Sequence, residues 1–482
     1  MQRLNHAFLW LLLPCLCAAT TATSFHDGPG AHASASASLP APANNDAIAK
    51  GLRDGKAWSY LEELCRVAPH RLSGSKGLDD ALDWGERMLK AIPGAQVRRV
   101  PCLVPHWERG AIGRLQIVGE QPEARTPLPI LALGGSVGTP ETGIEAPVVR
   151  VAVREDLAKL GEGAKGCIVF FDEPFDAARA STGEAYGRAV WQRARGASEA
   201  AKLGAVAVIV RSVSPRLDDH PHTGAMRYEE GVARIPAAAV STLGADRLAA
   251  ALARGPLKLK LELSCRSLPD KPSANIVADL PGVDPAAGVV LLSGHIDAWD
   301  VGQGAHDDGA GCVHAIEALR LAARDGWKHK RGLRVVLYTN EENGVRGGEA
   351  QRDATPQGEV RLALESDSGG FAPIGLSIDG PEALIAALRD AGRALEPIAA
   401  GMVIKGGGGV DVGPLKERGA AVGLLLISGA RYFDYHHADS DRLEAVHPRE
   451  LQLGAVAFLH WARVAADLPE ELFRSVEAKA GR

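Results

Sequence analysis

Six residues that could bind a metal ion or move a proton lie within one short stretch of this chain. The stretch, residues 294–311, reads GHIDAWDVGQGAHDDGAG and directly follows the apolar run GVVLLS. Its polar side chains are those of His295, Asp297, Asp300, His306, Asp307 and Asp308. Imidazoles and carboxylates are ligands of zinc, and several carboxylates together can hold two ions about 3.5–4 Å apart. The stretch therefore suggests part of a metal site.

Three further polar clusters follow apolar segments in the same way. Glu341 and Glu342 follow RVVLYTN, Asp367 follows VRLALES, and YHHADSD contains His436 and His437. If these apolar segments are neighbouring parallel strands, their carboxyl ends lie at one edge of the sheet, which is where open α/β sheets bind ligands. We therefore expect these side chains to meet at that edge. Each cluster alone is typical of a helix cap or a solvated surface. Their succession at strand ends favours a metal site in which a glutamate serves as general base.

The elements that must position these residues alternate between strand and helix. Uninterrupted apolar strands separated by helices predict a mostly parallel or mixed sheet with helices on both faces. Residues 46–124 are assigned to the N-terminal part of this catalytic domain, and residues 269–482 to its C-terminal part. Between them, residues 125–268 change to short strands with modest helices and few metal-ligand side chains. This segment is predicted to be an inserted, smaller, β-rich α/β domain.

The first residues of the chain predict export. The sequence MQRLNHAFLWLLLPCLCAATTATS has one arginine, a short apolar stretch and then small residues, which is typical of a signal peptide over residues 1–22. Residues 23–45, rich in Ala, Ser and Pro, are predicted to be a disordered leader. We therefore expect a periplasmic or secreted protein without a stable membrane anchor. The net charge of −5 and the lack of a basic block disfavour nucleic-acid binding.

The order GHID, DD, EE, ESD and HH resembles the co-catalytic two-zinc exopeptidases, a family that includes secreted aminopeptidases and glutamate carboxypeptidases. The stretches SGHIDAWDVGQGAHDDGAG and LESDSGGFAP are most similar to a carboxypeptidase branch of this family. RGASEAAKLGAVAVIVRSV and HTG…Y…GVARIPAAAVS, both within residues 125–268, resemble a protease-associated domain. The resemblance covers nearly the whole chain after the signal peptide. It implies the zinc exopeptidase fold, two Zn²⁺ ions, a short peptide substrate and a homodimer.

The resemblance also implies a set of metal ligands. His295 and Asp367 would bind one zinc ion, and Glu342 and His437 would bind the other. Asp307 would bridge the two ions. The peptide bond that follows Asp307 would be cis.

Other residues receive roles beside the metals. Asp297 would orient the His295 ring, and Glu341 would be the general base. His436 stands where related enzymes place a tyrosine near the oxyanion; a hydrogen-bond donor there and an ordinary core or surface histidine are both open. Arg431, in GARYFDYHH, is the candidate for binding a substrate carboxylate.

The sequence thus predicts an exported zinc exopeptidase that hydrolyses short peptides, above all dipeptides with free termini. One alternative is an aminopeptidase of the same family that acts on longer peptides. Another is a non-catalytic, receptor-like binding protein, which would be expected to have lost ligands. His220 and His222, in DDHPHTG, are expected in a surface turn, and His306 is expected to face solvent.

Overall fold

Two separate β-sheets and the helices around them make up the described part of the chain. The structure, a computed structural model, describes residues 45–119 and 126–474. The predicted signal peptide (1–22) and all but the last residue of the predicted leader (23–45) lie outside the described residues. Within the described ranges, every helix is too short or too polar to cross a bilayer.

The described residues contain fifteen strands and twelve α-helices. In chain order, the strands are β1 (Gln96–Glu108), β2 (Gly113–Val118), β3 (Ile130–Ala132), β4 (Ile144–Val151), β5 (Ile168–Phe171), β6 (Ala207–Arg211), β7 (Ala237–Val240), β8 (Lys258–Leu263), β9 (Arg266–Leu280), β10 (Val289–His295), β11 (Gly332–Tyr338), β12 (Val360–Glu365), β13 (Pro373–Asp379), β14 (Met402–Lys405) and β15 (Ala421–Ile427). The α-helices are α1 (Asn45–Arg53), α2 (Ala57–Val67), α3 (Lys76–Lys90), α4 (Arg154–Leu160), α5 (Thr182–Ala189), α6 (Trp191–Ala194), α7 (Gly196–Lys202), α8 (Thr242–Arg254), α9 (Ala310–Asp325), α10 (Arg346–Ala354), α11 (Glu382–Ala391) and α12 (Pro448–Asp467).

The larger sheet has eight strands in the order β1-β9-β11-β10-β12-β15-β13-β14. Its central strands β11, β10, β12 and β15 pair in parallel, whereas β1, β9 and β13 add antiparallel pairings. Alternate side chains of β10 enter opposite cores: Val290 and Leu292 pack with residues of α2, α3, α9 and α12, and Leu291 packs with Val336 and Val422. The predicted mixed sheet with helices on both faces is confirmed.

The smaller sheet has seven strands in the order β2-β8-β4-β5-β6-β7-β3. It has its own apolar clusters, in which Ile168 and Phe170 lie on one face and Val169 and Phe171 on the other. Strand β6, from the sequence AVAVIVRSV, pairs only within this sheet. Strand β2 also pairs here, with β8, although it precedes the expected boundary at residue 125. The assignment of residues 125–268 to an independent domain stays a prediction.

Residues 47–68 and 185–204 each have the sequence pattern of one continuous helix, but both are divided into shorter helices. Hydrogen bonds to residues distant in sequence lie at these divisions. Between α1 and α2, the N–H of Lys56 donates to Glu317 at 3.2 Å and that of Ala57 donates to Gln452 at 3.1 Å. The helix expected over residues 185–204 forms α5, α6 and α7 instead. Buried Gln192 in α6 donates to the carbonyl of Glu173 at 2.9 Å.

Candidate metal centre

The chemistry-bearing residues meet at the carboxyl edge of the larger sheet. His295 is the last residue of β10, Glu341 and Glu342 follow β11, and Asp367 follows β12. These three strands are parallel neighbours, so their carboxyl ends lie side by side, as the sequence predicts. His437 reaches the same edge from the loop after β15.

Asp307 lies at the centre of the cluster, in the short segment 305–309 before α9, where its own backbone angles (φ −117°, ψ 93°) are not helical. One of its carboxylate oxygens is 3.4 Å from His295 Nε2, and the other is 3.3 Å from His437 Nε2. His295 Nε2 is also 3.4 Å from Asp367 Oδ1, and His437 Nε2 is 3.1 Å from Glu342 Oε2. The structure therefore brings all five predicted ligands together, with Asp307 between two histidine–carboxylate pairs.

The donor set fits metal ions. His295 Nε2 and Asp307 Oδ2 are buried and have no hydrogen-bond partner in the described part of the chain, although buried polar atoms are normally satisfied. Ligand atoms of His295, Asp307 and Glu342 all lie within 4.8 Å of one another, as do those of Asp307, His436 and His437. Nitrogen and carboxylate oxygen together suit zinc.

The pKa shifts of the buried groups also indicate that the cluster is suited to cations. Burial and the Asp307 carboxylate raise the pKa of Glu342 well above its usual range. Burial also raises the pKa of Glu341, and Asp367 and Asp307 add to this effect. For His295 burial opposes protonation, but the Asp367 and Asp307 carboxylates outweigh it and raise the pKa. Divalent cations among these carboxylates would favour their ionised forms.

Asp297 has a different set of contacts from the one expected. The Nδ1 atom of His295 is 3.0 Å from the main-chain oxygen of Asp297 and 3.8 Å from its carboxylate. The carboxylate instead accepts the main-chain N–H groups of Glu341 at 3.1 Å and Glu342 at 3.3 Å. Two consecutive N–H groups past the end of β11 need acceptors, and this buried carboxylate supplies both.

Two further aspartates hold the ligand-bearing backbone. Asp308 accepts the N–H of His295 at 3.0 Å and that of Gly311 at 2.9 Å, so it ties the end of β10 to the start of α9. Asp441 accepts the N–H groups of His306 at 2.8 Å and Asp307 at 3.0 Å. The peptide bond between Asp307 and Asp308 is cis, as expected.

Arg71 is a residue that sequence reasoning missed. Its guanidinium is fully buried and donates to the carbonyls of Ile296 at 2.7 Å, Gln303 at 2.6 Å and Gly304 at 2.7 Å. It thereby fixes both ends of the loop between the metal-ligand candidates His295 and Asp307. An arginine in the turn PHRLSG has no local signal for this role, because its partners lie more than two hundred residues away.

His436 is buried and stacks on His437, with ring centroids 3.5 Å apart. Its Nε2 is 3.8 Å from Asp307 Oδ2. Burial, together with the nearby Arg193, holds the pKa of His436 well below its usual range, which keeps the ring neutral. A neutral ring has one N–H donor.

Three predicted positions differ in the structure. His306 is completely buried rather than facing solvent, and its ring stacks on Phe371 with centroids 4.3 Å apart. His222 is also buried, whereas His220 is 44% exposed. The Arg431 side chain is 64% exposed and lies 3.5 Å from Asp434. Within the described residues it contacts Asp434 and Tyr435 rather than the five ligand candidates.

Arg193 extends into this site instead. It lies on α6, within the segment that forms the smaller sheet (residues 113–263, the smaller-sheet segment). Its Nη1 lies 3.3 Å from His437 Nδ1 and its guanidinium covers the Tyr186 ring at 5.4 Å. Its Nε is buried without a hydrogen-bond partner, as judged over the described residues. A buried donor of a charged group without a partner is unusual in a folded protein. The sequence WQRARG gives no sign of this, because the contact depends on how the two sheets face each other.

A cleft of about 420 Å³ opens beside the cluster. Glu341 and Glu342 line it from the larger sheet, and Gly134, Met226 and Arg227 line it from the smaller-sheet segment. Cavities from about 300 Å³ upward hold small molecules. Both glutamates are thus accessible to a small molecule in the cleft.

Comparisons with known proteins identify the family of this chain. Residues 275–462 match the model of peptidase family M28. Carboxypeptidase Q from Bos taurus is 35% identical over 428 residues, which cover 88% of each chain, and the Homo sapiens protein is 34% identical with the same coverage.

Solved structures share the fold. A peptidase M28 precursor from Shewanella amazonensis superimposes with a TM-score of 0.83 at 34% identity, covering 89% of this chain and 96% of that one. A zinc aminopeptidase from Bacillus subtilis superimposes with a TM-score of 0.62 at 18% identity, covering 86% and 98%, which supports the fold alone. The resemblance that the sequence motifs carry is therefore confirmed, and this chain belongs to peptidase family M28 and is a metallopeptidase.

Proposed function

We propose that this metallopeptidase is a two-zinc exopeptidase that hydrolyses dipeptides with free termini. The single observation that carries the proposal is the position of Asp307. Its two carboxylate oxygens lie 3.4 and 3.3 Å from His295 and His437, and each histidine has a second carboxylate beside it. One carboxylate flanked by two such pairs is suited to two ions rather than one.

The five ligand candidates divide between the two ions. His295 and Asp367 would hold the first, Glu342 and His437 would hold the second, and Asp307 would bridge them. Two bound zinc ions would lower the pKa of a water molecule and polarise the scissile carbonyl.

Glu341 is proposed as the general base. It lines the cleft, and its backbone N–H is fixed by Asp297. From this position the ionised carboxylate can accept a proton from the attacking water and return it to the leaving amine. His436 is proposed to donate its one N–H to the developing oxyanion.

Arg193 is proposed to bind the carboxylate of the substrate. Its Nε is buried without a hydrogen-bond partner in the described residues. The contacts of its Nη1, with the main-chain oxygen of Thr223 at 3.4 Å and with His437 Nδ1 at 3.3 Å, are long. A carboxylate fits a guanidinium in geometry and charge. A free C-terminus held this close to His437 favours dipeptides over longer peptides cleaved from the amino end.

The N-terminal sequence supports export to the periplasm or the medium, which we propose as the site of action. The homodimer and the protease-associated domain stay predictions of the family resemblance.

The proposal is tested on the purified full chain by zinc analysis together with chromatographic assay of free amino acids. We expect two zinc ions per chain, hydrolysis of dipeptides, and loss of turnover with a chelator that added zinc reverses. A protein with a single ion would refute the bridging role of Asp307. Faster release of the first residue from tripeptides than from dipeptides would favour the aminopeptidase alternative.

A further inference from the structure

A turn of the smaller-sheet segment, residues 219–224, binds the loop that carries His437. His222 Nδ1 lies 2.6 Å from the main-chain oxygen of His436. The N–H of Thr223 donates to the main-chain oxygen of His437 at 2.9 Å. His220 adds a contact of 2.5 Å with Asp439. Three successive contacts thus join the turn to the backbone around one metal-ligand candidate.

The backbone of His437 needs such support. Its φ angle is 63°, in the left-handed region that residues with a Cβ atom seldom adopt. Residues in this region persist where the surroundings determine their conformation. His222 contacts the carbonyl group of His436, which directly precedes the His437 nitrogen. Thr223 binds the carbonyl group of His437 itself. The turn therefore acts on the peptide units that set this conformation.

His222 is itself held firmly. It is 3% exposed, and its main-chain N–H donates to Ser212 Oγ at 2.8 Å. Ser212 Oγ in turn donates to the carbonyl of Val240, the last residue of β7, at 2.7 Å. Because a carbonyl oxygen can only accept, the proton of the His222 ring is on Nδ1. The His222 ring thus connects the smaller sheet to the His436 peptide through one defined hydrogen bond.

The space beside this contact is also restricted. Gly224 has a φ angle of 136°, and a Cβ atom there would lie 2.7 Å from His437 Nδ1 and 2.4 Å from Arg193 Nη1. The chain therefore passes the His437 ring at a distance that only glycine allows. The turn touches both the backbone and the ring of His437.

We infer that His222 is a positioning residue for zinc binding. Its ring holds the His436–His437 peptide so that His437 Nε2 faces Glu342 and Asp307. The inference rests on the proposed function, since it assumes that His437 binds an ion. It assigns part of the zinc affinity to the smaller-sheet segment, whose residues supply none of the five ligand candidates. Partners that orient a metal ligand typically account for about 10–100-fold in metal affinity.

The test measures zinc affinity, by competition with a chromophoric chelator, in three variants of the full chain. His222→Phe keeps a ring of similar size but has no donor. His222→Asn places an amide N–H near the position of Nδ1, whereas His222→Gln places one near the position of Nε2. We expect the Phe and Gln variants to bind one of the two zinc ions, the one assigned to His437, roughly 10–100-fold less tightly. The Asn variant should recover to within about threefold.

His460→Phe is the matched control. His460 also makes one ring-to-carbonyl contact, at 3.3 Å to Ala391, but it lies on α12, away from the cluster. This variant should lower the thermal midpoint without changing zinc affinity.

The outcomes separate this inference from the proposed function. If wild-type protein binds two zinc ions and cleaves dipeptides while His222→Phe retains wild-type affinity, the positioning role is wrong and the proposed function stands. Equal loss in the Asn, Gln and Phe variants would also overturn it, since it would indicate a packing role. If the Phe variant does not fold, the comparison of Asn with Gln decides. A wild-type protein that binds no zinc overturns both.

Discussion

The main-chain N–H of Glu341 donates a hydrogen bond to the carboxylate of Asp297 over 3.1 Å. The proposed base is thus fixed by a residue on the neighbouring strand's loop rather than by its own side-chain contacts. The same carboxylate binds the next N–H, that of Glu342. One buried carboxylate therefore positions both a proposed base and a proposed ligand.

Asp297→Asn should lower kcat/KM roughly 10–100-fold, the usual effect of losing a partner that orients a metal site. Asparagine offers one acceptor and one donor, and its donor would face a main-chain N–H that needs an acceptor. Dipeptide kinetics and zinc content measure the effect. Ser73→Ala is the control, because it removes a 3.4 Å contact to the same carboxylate and a hydrogen bond from Asn340 but leaves the acceptor of the Glu341 and Glu342 N–H groups in place. Equal activity of Asp297→Asn and wild type would show that the carboxylate does not position Glu341.

Arg193→Met should reduce kcat/KM for a dipeptide roughly 10–100-fold, which corresponds to the loss of a hydrogen bond to a charged group. An amidated dipeptide has no carboxylate for Arg193 to bind, so wild type and variant should cleave it equally slowly. Arg227→Met is the control, since Arg227 lines the cleft beside Glu341 and Glu342 but is exposed. A uniform loss on both substrates would assign Arg193 to the support of His437 instead.

Gly311→Ala should destabilise the fold. A Cβ atom at Gly311 would lie 1.8 Å from the main-chain oxygen of Ser366 and 2.4 Å from Asp308 Oδ2, so the start of α9 must move. Crowding of a packed interior costs about 1–3 kcal/mol, and the thermal midpoint should fall. Gly187→Ala, in α5, meets no atom within 4 Å and should leave the midpoint unchanged or higher. Similar midpoints for the two variants would contradict this account of the helix start.

The central part of the site was predictable from sequence because it depends on strand order. His295, Glu342 and Asp367 each stand at or just past the end of an apolar strand, and parallel strands bring those ends together. The alternation of strand and helix likewise predicted the mixed sheet. These signals are local in the chain, so they can be read without knowledge of distant contacts.

The features that were missed depend on contacts distant in sequence. The break between α1 and α2 is stabilised by Glu317 and Gln452, which are distant in sequence, so the only local sign of it is Gly55. His222 is buried because the turn that contains it packs on the loop of His436, more than two hundred residues away. Its sequence, DDHPHTG, is that of an ordinary exposed turn.

The most direct test of the central claim compares Glu341→Gln with Glu342→Gln, by zinc content and dipeptide turnover of the two purified variants. Glu341 is assigned as the base, so Glu341→Gln should keep both zinc ions and lose roughly 10²–10⁴-fold in kcat, without rescue by added zinc. Glu342 is assigned as a ligand, so Glu342→Gln should bind one ion more weakly and recover part of its activity when zinc is added. Two results would contradict the division of roles between these two glutamates. One is near-normal turnover of Glu341→Gln, and the other is that Glu341→Gln loses as much zinc as Glu342→Gln does.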